Sequence, residues 1–192
     1  MIPAAVLRSV NTELRTTRLL LRCPREGDGT AVHQAVKDSL QEFRTWPASL
    51  PWAMEEPSID TSETYCRESA AAFIKRSALV YLVFDTEGTL IASTSLHNIN
   101  WMVPKFEVGF WCRSPFTGMG YTKEAIGELM RYAFDSLGAS RVAALTDEEN
   151  TKGRSVCESL GMRLEGVLRN ECITPDGTLR NTCLYAALRS VA

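Results

Sequence analysis

The chain is predicted to be an α+β protein, with one central sheet of about seven strands flanked by helices. β-prone runs recur along it, at Leu19–Arg22, Leu79–Phe84, Phe106–Cys112 and Arg141–Thr146. Between them the apolar period lengthens to that of a helix, most clearly over Tyr121–Leu137. At 192 residues, 45% hydrophobic and 23% charged, the chain can bury one sizeable core and is short for two. A single domain over 1–192 is expected.

Residues 1–16 read as a loose polar lead-in, and Leu19–Arg22 as a short strand. Asp28 is a candidate N-cap for a helix whose apolar positions Val32, Val36, Leu40 and Phe43 recur about once per turn. His33, beside that stripe, reads as a helix-surface residue. Pro47, Pro51 and Pro57 prevent a long helix over 44–59. Trp46 and Trp52 in that stretch suit either core plugs or a cleft wall. A second helix is expected over about Thr61–Arg76. Leu79–Phe84 and Thr89–Leu96 flank the Asp85–Gly88 turn as a hairpin, His97–Pro104 reads as a loop, and Phe106–Cys112 is the next strand.

The helix over Tyr121–Leu137 gathers Ile126, Leu129, Met130, Ala133 and Leu137 on one face. Gly127 inside it costs about 1 kcal/mol relative to Ala, which predicts close packing of helix on sheet. Gly138 ends it. A strand at Arg141–Thr146, a polar loop at Asp147–Asn150 and a short helix at Thr151–Leu160 follow. Strands at about Arg163–Arg169 and Leu179–Leu188 flank the turn at Pro175-Asp176-Gly177.

A formal charge of −2 argues against nucleic acid as a partner. No apolar run approaches the roughly 18 residues of a membrane span, and Met1–Arg8 does not resemble a signal peptide. The six cysteines include no C-x-x-C pair, and only His33 and His97 could add imidazoles, so no metal site is expected. Dispersed cysteines in a chain of this length fit a reduced, cytoplasmic protein.

Gly118 and Gly120 lie between the aromatic strand and the helix that starts at Tyr121. A helix start has unpaired backbone N–H groups and partial positive charge, so an anion can sit there. Gly118-Met119-Gly120 is not a dinucleotide fingerprint, because Lys123 stands where the third glycine belongs. The P-loop spacing is absent too.

The run Trp111–Ala125 followed by Asn150–Met162 resembles the GNAT superfamily of acyl-CoA-dependent N-acyltransferases. That family's R/Q-x-x-G-x-G/A loop reads here as Thr117-Gly118-Met119-Gly120-Tyr121-Thr122. Gly120 is kept, Thr117 replaces the basic or amide residue, and Thr122 replaces a small one. The lost basic side chain could be supplied by Lys123 or Arg113. More narrowly, the chain resembles the RimJ/RimL-type branch over nearly its full length. Thr17–Arg22, Leu50–Ala53, Glu107–Trp111, Gly118–Ala125, Asn150–Gly161, Gly166–Arg169 and Arg180–Leu188 occur in that branch's order.

The resemblance implies a GNAT-like mixed, mostly antiparallel sheet, splayed between its fourth and fifth strands. It implies acetyl-CoA as acyl-donor cosubstrate, without a metal. Backbone groups of Phe110, Trp111 and Cys112 would bind the pantetheine arm and polarise the thioester carbonyl. Thr117, Gly118, Met119, Gly120, Tyr121 and Thr122 would hold the pyrophosphate, and Asn150 would contact the arm. An amine then attacks through a tetrahedral oxyanion.

Such an amine must be neutral. At pH 7 an α-amine is roughly 10–20% neutral and a lysine side chain below about 0.1%, so an N-terminal amine demands less of a base. Glu107, two residues before Gly109, is the first candidate base, and Glu148 and Glu149 are weaker ones. Relatives place Ser three residues after the Asn, or Tyr seven after it. Here Gly153 and Cys157 stand there, which leaves Cys157 as candidate thiolate partner and Ser155 expected to face elsewhere. Trp46, Trp52 and His97 are candidate acceptor-binding residues. The expected activity is acetylation of a protein N-terminal α-amine, of the ribosomal-protein type, by a monomer or homodimer. The alternatives are a small-molecule amine, such as a polyamine or antibiotic, and a non-catalytic acyl-CoA-binding module.

Overall fold

The computed structural model describes residues 4–189. Its strands are β1 (Glu13–Arg15), β2 (Leu20–Arg22), β3 (Leu79–Phe84), β4 (Leu90–Asn100), β5 (Lys105–Cys112), β6 (Arg141–Asp147), β7 (Arg163–Ile173) and β8 (Leu179–Leu188). The helices are α1 (Gly29–Lys37), α2 (Leu40–Phe43), α3 (Ile59–Lys75), α4 (Tyr121–Asp135) and α5 (Thr151–Ser159). The strands form one sheet in the order β1-β2-β3-β4-β5-β6-β8-β7. Neighbours pair antiparallel except β5 with β6, which the crossover through α4 makes parallel.

Both sheet faces are covered, so β3 is apolar throughout and buried at every position. Tyr81 and Val83 point into the larger core, where Ile126, Leu129, Met130 and Ala133 of α4 meet Leu96, Phe106, Val108 and Val142. Leu82 and Phe84 point the other way, against Val32 and Val36 of α1 and Cys66 of α3.

The expected splay is present. β5 and β6 are in register only from Lys105 opposite Arg141 to Glu107 opposite Ala143, and then part.

Several local expectations are corrected. There are eight strands among the described residues, because β1 adds to β2 and buries Leu14. The expected loose lead-in over 1–16 therefore includes a piece of the sheet. The helix expected through Phe43 breaks at Asp38–Ser39, where both side chains bind elsewhere. Asp38 pairs with Arg113, and the Ser39 hydroxyl accepts from the Ser114 N–H at 2.8 Å. His97 is on β4 rather than in a loop, since that strand continues through a bulge in which Asn98 takes φ 47°. Gly127 makes room for Leu160, not the sheet: a Cβ there would lie 3.3 Å from the Leu160 Cδ2.

Asp28 stands at the head of α1 without capping it through its side chain. Its carboxylate instead accepts two hydrogen bonds from the Arg22 guanidinium, each of 2.7 Å, and one from the Arg25 N–H at 2.9 Å. The Arg22 guanidinium also lies over the Phe84 ring, 4.4 Å from its centroid. This pair ties β2 to the start of α1.

Candidate active site

The site begins where β5 leaves β6. The Arg113 N–H donates to the Ile91 carbonyl at 2.8 Å, which sets the phase of the β4–β5 ladder. In an antiparallel pair alternate residues turn their backbone groups to the same neighbour. Trp111 and Gly109 therefore turn theirs to β4, and Phe110 and Cys112 turn theirs toward β6. Because β6 has diverged beyond Ala143, the Phe110 and Cys112 amides face an open wedge. Backbone groups seek partners, so this wedge suits an extended, amide-bearing ligand.

The wedge leads to the head of α4. Gly118 and Gly120 have φ of 78° and 79°, a region that side chains other than glycine enter only with strain. Gly120 is the N-cap residue and makes no side-chain cap, and the first amide to bond back is Glu124, to the Gly120 carbonyl at 3.0 Å. The preceding first-turn amides and the helix dipole are left to an anion.

Wedge and loop share a groove of about 530 Å³. Of the predicted cofactor residues, Phe110, Trp111, Cys112, Thr117, Gly118, Thr122 and Asn150 line it, and so does Trp46. Met119, Gly120 and Tyr121 do not. The Met119 side chain is exposed, and the Tyr121 ring lies against Phe116 and beneath Arg18.

The facing wall is α5. Asn150 caps it, its Oδ1 accepting from the Gly153 N–H at 2.9 Å. A Cβ on Gly153 would stand 2.8 Å from the Thr146 Oγ1 and 3.1 Å from the Asn150 Nδ2, so a serine does not fit there without movement. The hydroxyl on this wall is that of Ser155, which lines the groove, contrary to expectation. Cys157 is 1% exposed and packs in the core. Burial pushes its thiol up to about 11. It cannot meet a leaving thiolate in the groove, and that candidacy is withdrawn.

On the opposite sheet face, Glu107, Gly109 and Trp111 alternate along β5. His97 lies directly across from Glu107, with Nε2 and Oε1 3.0 Å apart. The Asn98 amide donates to the Glu107 Oε2 at 2.9 Å, and the Ser95 Oγ lies 3.2 Å from the His97 Nδ1. The imidazole crosses Gly109 so closely that a Cβ there would be 2.8 Å from its Cε1. The hydrogen bond from His97, helped by Asn98, holds the Glu107 carboxyl below the usual range against the opposing effect of burial. Glu149, by contrast, is exposed and paired with Arg180, and the Glu148 Oε2 accepts from the Asn181 amide.

A second cavity, of about 330 Å³, opens beneath Trp52 and shares the Trp111 wall with the groove. Phe43 links the two tryptophans, edge-on to Trp52 at 5.5 Å and to Trp111 at 5.6 Å. Neither cavity is lined by His97 or Glu107.

Residues 18–163 match the model of the acetyltransferase (GNAT) domain. The chain belongs to the GNAT family.

Its relatives fit the RimJ/RimL-type branch of GNAT enzymes. YdaF of Bacillus subtilis (strain 168), provisionally named a ribosomal N-acetyltransferase, is 37% identical over 89 residues. That stretch spans 46% of this chain and 48% of YdaF. The structure of RimL, a ribosomal L7/L12 α-N-protein acetyltransferase in complex with coenzyme A, superposes with a TM-score of 0.81. It is 20% identical, with 97% of each chain covered. The microcin C7 self-immunity acetyltransferase MccE, in complex with acetyl-CoA and AMP, gives a TM-score of 0.83 at 19% identity, covering 91% of this chain and 94% of MccE.

Of the basic groups anticipated near the GNAT loop, Lys123 lies exposed in the first turn of α4. Arg113 is engaged by Asp38 and lies over Phe116. Arg18, 102 positions before Gly120, also stands at the loop. Its Nη1 donates to the Met119 carbonyl at 3.3 Å, its Nε donates to Glu124 at 2.7 Å, and its guanidinium lies 4.5 Å above the Tyr121 ring. No sequence spacing could have assigned Arg18 this place. Among the described residues, no group of three or more His, Cys, Asp or Glu could hold a metal ion, and no helix is long and apolar enough to cross a membrane.

Proposed function

We propose that this GNAT enzyme transfers the acetyl group of acetyl-CoA to a primary amine by direct attack, and that the acceptor is a protein N-terminal α-amine. The observation that carries this reading is the open wedge at Phe110 and Cys112 running straight into the uncapped, glycine-lined head of α4. An extended pantetheine arm and a pyrophosphate need those two features in that order. The relatives named for ribosomal N-acetylation support the α-amine as acceptor.

Acetyl-CoA supplies an activated acyl group, and the residues supply its placement. The Phe110 and Cys112 amides bind the arm and are the donors available to a developing oxyanion. Gly118 and Gly120 keep the head of α4 clear for the pyrophosphate. Asn150, with its Oδ1 held by Gly153, turns its Nδ2 to the arm. Ser155 is the hydroxyl available to the departing sulfur. Glu107, ionised and oriented by His97 and Asn98, takes the proton of the amine. An α-amine, already neutral in part at pH 7, needs only modest help from that base.

The test is release of free CoA on mixing the protein with acetyl-CoA and peptides with free N-termini. Release with at least one peptide is expected. Tight CoA binding without release across a broad panel would instead favour a non-catalytic CoA-binding module. Arg18 gives a further check. Replacing it with Ala should raise the KM for acetyl-CoA by about 10- to 100-fold, since hydrogen bonds to charged groups contribute about 1.5–3 kcal/mol. An unchanged KM would remove Arg18 from cofactor binding.

A further inference from the structure

The cavity beneath Trp52 has no part in the chemistry assigned above, yet one of its walls is the Trp111 side chain that also lines the cofactor groove. Its volume of about 330 Å³ falls at the lower end of small-ligand sites. Val32, Val36, Leu40, Trp52 and Trp111 make most of its surface apolar. Its polar groups are largely satisfied internally, the Tyr65 hydroxyl lying 3.2 Å from the Ser93 Oγ. Burial pushes the Tyr65 phenol up, so it stays neutral. Glu55 and Glu56 are the charged lining residues, and Glu56 is paired with the Arg44 guanidinium at 2.6 Å.

We propose that this cavity receives the side chain of the acceptor's first residue, and that the acceptor is a peptide N-terminus beginning with a bulky apolar or aromatic residue. The inference rests on the α-amine reading above and narrows it. A serine or alanine side chain would leave the cavity almost empty, and an acidic one would meet the Glu55 carboxylate, which forms no ion pair among the described residues, Arg44 being taken by Glu56. Leucine or phenylalanine fills it with apolar surface, while the adjoining α-ammonium group is attracted by the Glu55 carboxylate. Trp111 then separates the side chain from the cofactor arm and leaves the amine at the wedge.

The test compares kcat/KM for peptides identical but for a first residue of Phe, Leu, Ala or Ser. Burial of the larger side chain should favour Phe and Leu over Ala and Ser by about 10- to 100-fold. Val36→Phe, which places a ring inside the cavity, should cut the Phe-to-Ala ratio at least about tenfold. The KM for acetyl-CoA, measured on the same variant, reports that the fold is intact. Peptides starting with Ser or Ala that react as well as those starting with Phe or Leu would overturn the inference and leave the α-amine reading standing. Failure of every peptide, with acetyl-CoA bound, would overturn both.

Discussion

Replacing Glu107 with Gln should lower kcat by about 10²- to 10⁴-fold, the usual contribution of a positioned base, with the KM for acetyl-CoA unchanged. The substitution keeps the shape of the side chain and removes its charge. It also turns an amide toward either His97 or Asn98, both of which now meet a carboxylate. The pH profile adds an independent check. Because His97 and then Asn98 hold the Glu107 carboxyl below its ordinary value, it stays ionised throughout the neutral and mildly acidic range. Activity should therefore rise with pH up to the α-amine's own pKa of about 8, with no step from Glu107 above about pH 4.3. For stability the sign follows from the same shift. A carboxyl whose pKa is lower when folded adds stability that is complete above its unfolded value and is lost as pH falls through the folded one. A kcat within a few-fold of wild type in Glu107→Gln would make the His97–Glu107 pair a purely structural brace.

The second large effect is on stability. Arg22→Ala should destabilise the fold by about 3–5 kcal/mol, as breaking one side of a buried ion pair generally does. The two side chains are 10% and 11% exposed, and the guanidinium binds both oxygens of Asp28. Its loss leaves the Asp28 carboxylate buried with only the Arg25 N–H, and takes away the cation lying over Phe84. Denaturant unfolding measures the difference directly. A change below about 1 kcal/mol would show that water or Arg25 replaces the guanidinium at no cost. Arg22→Met, of similar length but uncharged, combined with Asp28→Asn should recover much of the loss, since the penalty arises from a single unpaired charge.

The parts of this site that were legible in the sequence are local ones. Phe106 to Gly127 encodes a strand, a glycine turn and an amphipathic helix by residue type and period alone, and Asn150 marks the next helix start. Trp46 and Trp52 stood out because two tryptophans in a proline-broken segment need an explanation, and each lines a cavity. Groups brought together by the sheet were not legible. Arg18 reaches the loop only because the turn between β1 and β2 and the head of α4 meet at one end of the fold. His97 read as a loop residue because pattern alone does not show a strand continuing through a bulge. Cys157 and Ser155 exchanged roles for a similar reason: spacing from Asn150 counts residues, while the turn of α5 decides which one faces the groove. Gly153 looked like a missing catalytic serine, but Thr146 leaves no room for one.

The central claim is that backbone groups at the wedge and at the head of α4 hold acetyl-CoA. Calorimetric titration of acetyl-CoA into wild-type protein and into Gly120→Val tests it most directly. Gly120 sits at φ 79°, where a side chain costs about 1–2 kcal/mol, and more for a branched one. The loop must shift to relieve that strain, moving the amides from the pyrophosphate. The predicted result is saturable binding to the wild type and a Kd at least about tenfold higher in the variant, with the circular dichroism spectrum unchanged. Equal affinities in the two folded proteins would contradict it.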